Sequence, residues 1–383
     1  MPRHPQIAAS LAEVGTSVFS ALAHKMASYR GEIYPLHVGD TWLEPLEGCR
    51  MQDLRVEELP GMHRYAPPQG LPQLAEAAAA RVQRNSGVTT SPTDVLITAG
   101  ATGALGAVMG AILEPGDEVL IVAPYWPLIP GIVRCFHGNP VIVPLIGEAD
   151  APEGAVELLR RRLTSRSVAL YLNTPNNPTG RMLPRSWIEA LVAWAAREGL
   201  WIAVDEVYED YAWGGEHVYC RALAPERTFA AHSFSKAFGM AGNRVGYVVG
   251  PAKTRAELAK VSTHAFYGAS HASQLAALRV LCARGDAWIG EVRERYRELG
   301  ERAAARLGVP PPEGGTFLFL DVAERLDDRG LAGFLEDAAD RGLFLAPGPS
   351  FGPYPTHVRI CYTSAPPDVV GRGVELLAGM LGR

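Results

Sequence analysis

The sequence predicts an α/β fold, a mostly parallel sheet with helices on both faces, joined to a smaller α+β domain. Three observations carry this. From about residue 90, short runs rich in Val, Ile and aromatics alternate with longer Ala/Leu/Arg/Glu segments. The short runs are apolar throughout, without polar alternation, which marks strands buried on both faces with helices between them. After about residue 285 the texture changes to a long charged helix followed by mixed strand and helix.

In chain order, the first expected helix covers 71–86. A strand at 95–98 then leads through a Gly-rich turn into a helix at 102–113. The stretch from Val95 to Leu113 has 19 residues without a charge, nominally enough to span a bilayer. Its Gly100, Gly103, Gly106 and Gly110, with Thr98 and Thr102, fit strand, turn and helix better. Further strands are expected at 119–122, 168–172, 201–204, 228–231 and 245–249, with helices at 185–198 and 274–283. The second part begins with a charged helix at 288–306. A strand at 316–321, a helix from Leu331 and a strand-plus-helix at 358–381 follow. The expected division is 40–280 for the large domain, and 1–39 with 281–383 for the small one. With no internal repeat and no long linker, the two should pack closely.

Composition narrows the partners. The 383 residues are 48% hydrophobic and 20% charged, and 36 basic against 41 acidic residues leave a net charge of −5. No block of like charge appears, so neither nucleic acid nor an anionic membrane is the expected partner. The 40 glycines and 30 prolines are spread among apolar runs, which signals tight turns. Five widely spaced cysteines without a C-x-x-C pair suggest neither a disulfide framework nor a zinc site. A reducing, cytoplasmic setting fits, and no signal peptide is read at the N-terminus. The ten histidines show no metal-binding spacing, and His232 is taken as packing.

Four segments carry chemistry. Lys236 sits among Ser233, Ser235 and small residues, with Arg244 eight positions later. A lysine that must form an imine has to be desolvated and near positive charge, so that its amine is often neutral. Gly100 to Thr102 follow a strand and open a helix, where free N–H groups and the helix dipole favour an anion. The spacing there is G-x-x-G-x-x-G, which disfavours a dinucleotide fold. Asp205 stands at the carboxyl end of a buried strand, the usual site edge in open α/β sheets, and there needs a cationic or protonated partner. A protonated pyridine nitrogen would serve, with Tyr208 reaching a neighbouring ring oxygen. The fourth segment, Asn173 to Gly180, is dense in turn-formers.

Together these segments, in this order, resemble the pyridoxal-phosphate-dependent class I/II aminotransferases of the aspartate aminotransferase fold type. The strings S-F-S-K-x-F-G-M-x-G-x-R-x-G-Y and N-N-P-T-G carry the likeness, which covers nearly the whole chain. The resemblance implies pyridoxal 5'-phosphate as cofactor, Lys236 as the Schiff-base lysine and Asp205 at the pyridinium nitrogen. Asn177 and Tyr208 would bond the ring hydroxyl oxygen, and Trp126 would lie against the ring face. Ser233, Ser235, Arg244 and the amides at Ala101 and Thr102 would hold the phosphate. Arg359 would take the substrate carboxylate, with Gly39 and Asn177 beside it. Tyr65 would reach the phosphate of a partner subunit, which implies a homodimer. The resemblance also suggests cis peptide bonds before Pro124 and Pro178.

The implied reaction moves an amino group from an L-amino acid to a 2-oxo acid. The stretch 261–268, which should border the side-chain pocket, contains no arginine, and Trp42 and Tyr267 are candidate walls. A neutral or aromatic side chain is therefore expected. Two rivals use the same constellation: a lyase or synthase catalysing β- or γ-elimination, and a cofactor-binding regulatory module. The second requires a DNA-binding domain, for which the residues before Leu36 are too few and insufficiently basic.

Overall fold

The computed structural model describes residues 4, 7, 12, 14, 15 and 23–383. Most of the first 22 residues of the expected small-domain segment 1–39 lie outside the described residues. The described chain opens with α1 (Ala23–Ser28) and α2 (Pro72–Ser86). It continues with β1 (Val95–Thr98), α3 (Gly100–Ile112), β2 (Glu118–Ala123), α4 (Ile129–Cys135), β3 (Asn139–Pro144) and α5 (Pro152–Arg160). Next come β4 (Ser167–Asn173), α6 (Arg185–Arg197), β5 (Trp201–Asp205), α7 (Cys220–Leu223), β6 (Thr228–Ser233) and β7 (Gly246–Val249). Two helices, α8 (Arg255–Ala265) and α9 (His271–Cys282), lead into the long α10 (Gly285–Leu307). The chain ends with β8 (Phe317–Asp321), α11 (Gly330–Ala339), β9 (Ala346–Pro347), β10 (His357–Cys361) and α12 (Pro367–Met380).

The large sheet has seven strands in the order β1-β7-β6-β5-β4-β2-β3. Strands β6, β5, β4, β2 and β3 run parallel, and β7 is antiparallel to both β1 and β6. Side-chain alternation sorts its residues into two cores. Leu96, Ile121, Tyr171, Ala203 and Phe229 pack with α3, α4 and α8 on one face. Leu120, Leu170, Leu172, Ile202 and Val204 pack with α5 and α6 on the other. The antiparallel second sheet, β8-β10-β9, is covered by α10, α11 and α12, and Leu36 joins that core.

Strand β3 departs from the sequence expectation. Pro140 and Pro144 flank its apolar core, and proline within a short run argues against a strand unless it lies at an edge. β3 is such an edge, paired on one side only, to β2. The helices α1, α4, α5, α7 and α8 and the short strand β9 likewise lie outside the elements expected from the sequence.

Arg81 of α2 is 4% exposed and bonds Asp210 and Asp286. It also lies over the Phe238 ring, 5.3 Å from its centroid. Removing one partner of a buried ion pair leaves the other charge uncompensated, at a cost of about 3–5 kcal/mol. Arg81→Met is therefore expected to lower the unfolding free energy by about 3 kcal/mol, read from urea denaturation midpoints at unchanged slope.

Candidate active site

The parallel strands end on one edge of the large sheet, and the chemistry-bearing residues collect there. The α3 helix starts immediately after β1 through Gly100, whose φ is +72°. A Cβ at Gly100 would also stand 2.6 Å from the Arg244 guanidinium, so glycine is required on both counts. Its first turn presents the N–H groups of Ala101 and Thr102. Facing them at the end of β6, the Ser233 hydroxyl donates to Ser235 Oγ at 2.8 Å and accepts from the Ser235 N–H at 3.0 Å. Arg244 completes the cup in a left-handed conformation (φ 52°), its guanidinium donating to the Ala241 carbonyl at 3.1 Å. Helix N-terminus, hydroxyls and guanidinium make an anion site.

Asp205, the last residue of β5, accepts from the Tyr171 hydroxyl at 3.2 Å and the Val207 N–H at 3.3 Å. These are neutral donors, and burial pushes the carboxyl up to about 6. The Asp205 backbone carbonyl accepts from the Asn173 side chain at 3.1 Å and from the Thr174 N–H at 3.3 Å. The Asn173 amide oxygen in turn accepts from the Asn177 N–H at 2.8 Å. The loop after β4 is thereby tied to the end of β5. Tyr208 is buried beside them, edge-on to Phe317 with ring centroids 5.5 Å apart.

The Lys236 ammonium donates to the Gly39 carbonyl and has no carboxylate within ion-pair distance among the described residues. Burial lowers its pKa; Asp40 and Cys361 oppose the shift, while Arg359 and Arg244 add to it. Arg359 of β10 is 3% exposed and donates to Asn177 Oδ1 at 2.9 Å and to the His37 carbonyl. Its Nε has no partner, and Phe317 and Phe351 flank the guanidinium at 4.4 and 4.8 Å. Burial lowers its pKa as well. A buried guanidinium held by neutral acceptors is a seat for a carboxylate. A Cβ at Gly39 would crowd the Phe317 ring at 3.1 Å, so the bare backbone keeps the approach to Arg359 open.

The cleft has a volume of about 180 Å³. Of the residues expected from sequence, Ala101, Thr102, Trp126, Asn177, Asp205, Tyr208, Ser233, Ser235, Lys236 and Arg244 line it. Gly39 and Arg359 join through their bonds to Lys236 and Asn177. Tyr65 does not line it: the side chain is 84% exposed and packs on Tyr267 at 4.8 Å. Sequence reasoning missed Val207, Ala241 and the supports Tyr171 and Asn173.

One expectation is corrected. The cis bonds are Ala123–Pro124 and Thr174–Pro175, and the bond before Pro178 is trans. The chain turns off the sheet directly after Asn173, where Thr174 N–H is held by Asp205, so the reversal falls at 174–175 rather than three residues on. The Asn176 amide then donates to the Pro124 carbonyl at 2.9 Å, which locks the two loops together.

The residues present fit a phosphorylated pyridine aldehyde. The cup suits its phosphate, the carboxylate with only neutral donors suits a protonated ring nitrogen, and the desolvated lysine suits its carbonyl. Fold and site thus define a pyridoxal-phosphate-dependent enzyme. The chain belongs to the family described as aminotransferase class I and II, matched over residues 34–377. It is 34% identical over 333 residues, 84% of each chain, to the aspartate/prephenate aminotransferase of Thermus thermophilus. It is 33% identical over 345 residues, 86% of this chain and 85% of the relative, to an arginine–pyruvate transaminase of Pseudomonas aeruginosa. Among solved structures, Thermus thermophilus aspartate aminotransferase with maleate superimposes with a TM-score of 0.88 at 30% identity, covering 98% of this chain and 100% of that one. N-Succinyldiaminopimelate aminotransferase from Mycobacterium tuberculosis gives 0.89 at 27%, with the same coverage. The protein is a transaminase that uses pyridoxal 5'-phosphate and acts on amino acid and 2-oxo acid substrates.

Proposed function

We propose that the enzyme prefers L-amino acid donors with neutral or aromatic side chains, and that the residues of the cleft divide the reaction as follows. The cofactor, when bound, supplies a carbonyl that condenses with amines and a ring that takes up the electron pair left at the substrate Cα. Lys236 Nζ removes the Cα proton and returns it on the cofactor side, since a desolvated amine near two guanidinium groups is often neutral. Asp205 holds the proton on the ring nitrogen. Tyr208 and Asn177 donate to the ring hydroxyl oxygen, and Trp126 covers one ring face. Ala101, Thr102, Ser233, Ser235 and Arg244 hold the phosphate. Arg359, with Gly39 and Asn177, takes the α-carboxylate and so orients Cα beneath the lysine.

The donor preference rests on one observation: besides Lys236, the only cationic side chain lining the cleft among the described residues is Arg244, in the phosphate cup. With Arg359 given to the α-carboxylate, a distal carboxylate has no evident partner and is costly to desolvate. The relatives' names, which range from aspartate to arginine, leave the side chain open. Aspartate is expected to give a lower kcat/KM than neutral or aromatic donors when all are compared with one oxo-acid acceptor. Aspartate as the best donor of the panel would overturn the preference.

Three further readings accompany this one. The enzyme works as a homodimer in the cytoplasm, with Tyr65 crossing to the partner's phosphate; the exposure of that ring supports this, and sedimentation velocity tests it. The chain divides at 40–280 against 1–39 and 281–383, supported by Leu36 packing into the core of the second sheet. No described helix is long and apolar enough to cross a membrane.

A further inference from the structure

Behind the cleft lies a second cluster of charges that the reaction as described does not use. Alternation puts Asp205 and Ser233 on the cleft side of β5 and β6, and Glu206, which follows β5 with its N–H still on the Ala231 carbonyl of β6, and His232 of β6 on the opposite side. Register agrees: Asp205 pairs with Ala231, and His232 pairs with Tyr247 of β7. The His232 ring stacks on Tyr247 with centroids 4.8 Å apart. Its Nδ1 is 2.9 Å from Glu209 Oε1, and its Nε2 is 3.8 Å from Glu206 Oε2. His232 and Glu206 are each 1% exposed. His232 therefore does more than pack.

An apolar side chain would fill the same space at no electrostatic cost, so a buried ion pair here calls for a reason. We propose that His232 is a positioning residue for transamination: Glu209 holds it as an imidazolium behind the end of β5, where its charge keeps the Asp205 carboxylate ionised toward the cofactor's ring nitrogen. The inference rests on the reading that Asp205 meets that nitrogen.

The surroundings give the signs. Burial raises the Asp205 pKa, the bonds from the Val207 N–H and the Tyr171 hydroxyl oppose it, Glu206 adds to the rise, and His232 counters it further from the other side of the strand. Burial also disfavours the imidazolium, as does Arg81 of α2, yet Glu209 and Glu206 outweigh both and hold His232 above its ordinary value. Asp210, Tyr247, Cys220 and Arg221 are further charged and titratable groups around the cluster, with His217 3.6 Å from Glu206 and Tyr219 beside Glu209.

The test uses His232→Gln and Glu209→Gln, with folding checked by circular dichroism. In the cofactor-free protein, infrared difference titration should show Asp205 gaining its proton about one pH unit higher in His232→Gln than in wild type, a tenfold shift in equilibrium. In the loaded enzyme, Glu209→Gln keeps the imidazole but removes its main counter-charge. With burial and Arg81 then opposed only by Glu206, the imidazole loses its proton at lower pH, and the limb of kcat that follows it should move to lower pH than in the wild type. If His232→Gln does not fold, that limb decides alone. A wild-type titration and a wild-type profile in folded variants overturn the proposal and leave His232 a structural residue. Asp205→Asn, run alongside, separates the two levels. An unimpaired Asp205→Asn removes the assignment of Asp205 and the inference with it; a disabled one beside unimpaired His232 and Glu209 variants removes the inference alone.

Discussion

Lys236→Ala is expected to lower transamination by at least about four orders of magnitude, the upper range for removing a positioned general base, because the same amine also serves as nucleophile. Nothing in the cleft can stand in for it. The chain has four lysines. Lys25 is paired with Asp340, Lys260 with Glu257, and Lys253 is exposed, which leaves Lys236 as the amine of the cleft. The phosphate cup is built from other residues, so the variant should still bind pyridoxal phosphate, now reversibly and removable by dialysis. Borohydride reduction of the wild type followed by peptide mapping should place the label on residue 236. A label on any other lysine, or turnover near the wild-type rate in the variant, ends the assignment.

The parts of the site that the sequence made legible are those at strand ends and helix starts, where an unusual residue cannot be explained by packing. Asp205 and the Gly100 turn stand out because an acid and a glycine each break an apolar run, and Lys236 because an amine among hydroxyls and small residues is an unusual grouping for a packed core. Tyr171 does not stand out. It lies inside β4, in a run that reads as core, and its hydroxyl reaches Asp205 only because β4 and β5 pair in a register that sets Tyr171 opposite Ala203, two residues short of Asp205. Arg81 is hidden for a related reason: in an alanine-rich helix an arginine reads as solvent-facing, and its acceptors come from segments 129 and 205 residues away. The large sheet was legible in six of its seven strands, and β3 was lost because proline is compatible with a strand only at an edge, a fact of topology rather than of local sequence.

Asp205→Asn is expected to cost about three orders of magnitude in kcat, comparable to the loss of a preorganised electrostatic stabiliser in other enzymes. Asparagine keeps the shape, its oxygen accepting from the Val207 N–H and its amide donating to the Tyr171 hydroxyl, which turns to accept, but it cannot hold a proton on a ring nitrogen, so the cofactor becomes a poor electron sink. The same substitution should act on stability with the opposite sign. Burial raises the Asp205 pKa from 3.8 to about 6 in the cofactor-free protein. A carboxyl whose pKa is raised on folding binds its proton more tightly in the native state, so it destabilises the fold once the pH exceeds the unfolded value. The penalty is absent below about pH 4, grows as pH rises, and is complete above about pH 6, where two pKa units correspond to about 3 kcal/mol. Cofactor-free Asp205→Asn should therefore be more stable than wild type at pH 7, by up to that amount, and equal to it near pH 4. Urea midpoints at the two pH values read the difference directly. A carboxylate kept at a cost to the fold and needed for rate is the trade expected of a catalytic site. An Asn variant that is both active and no more stable at pH 7 would show that Asp205 is an ordinary satisfied core residue.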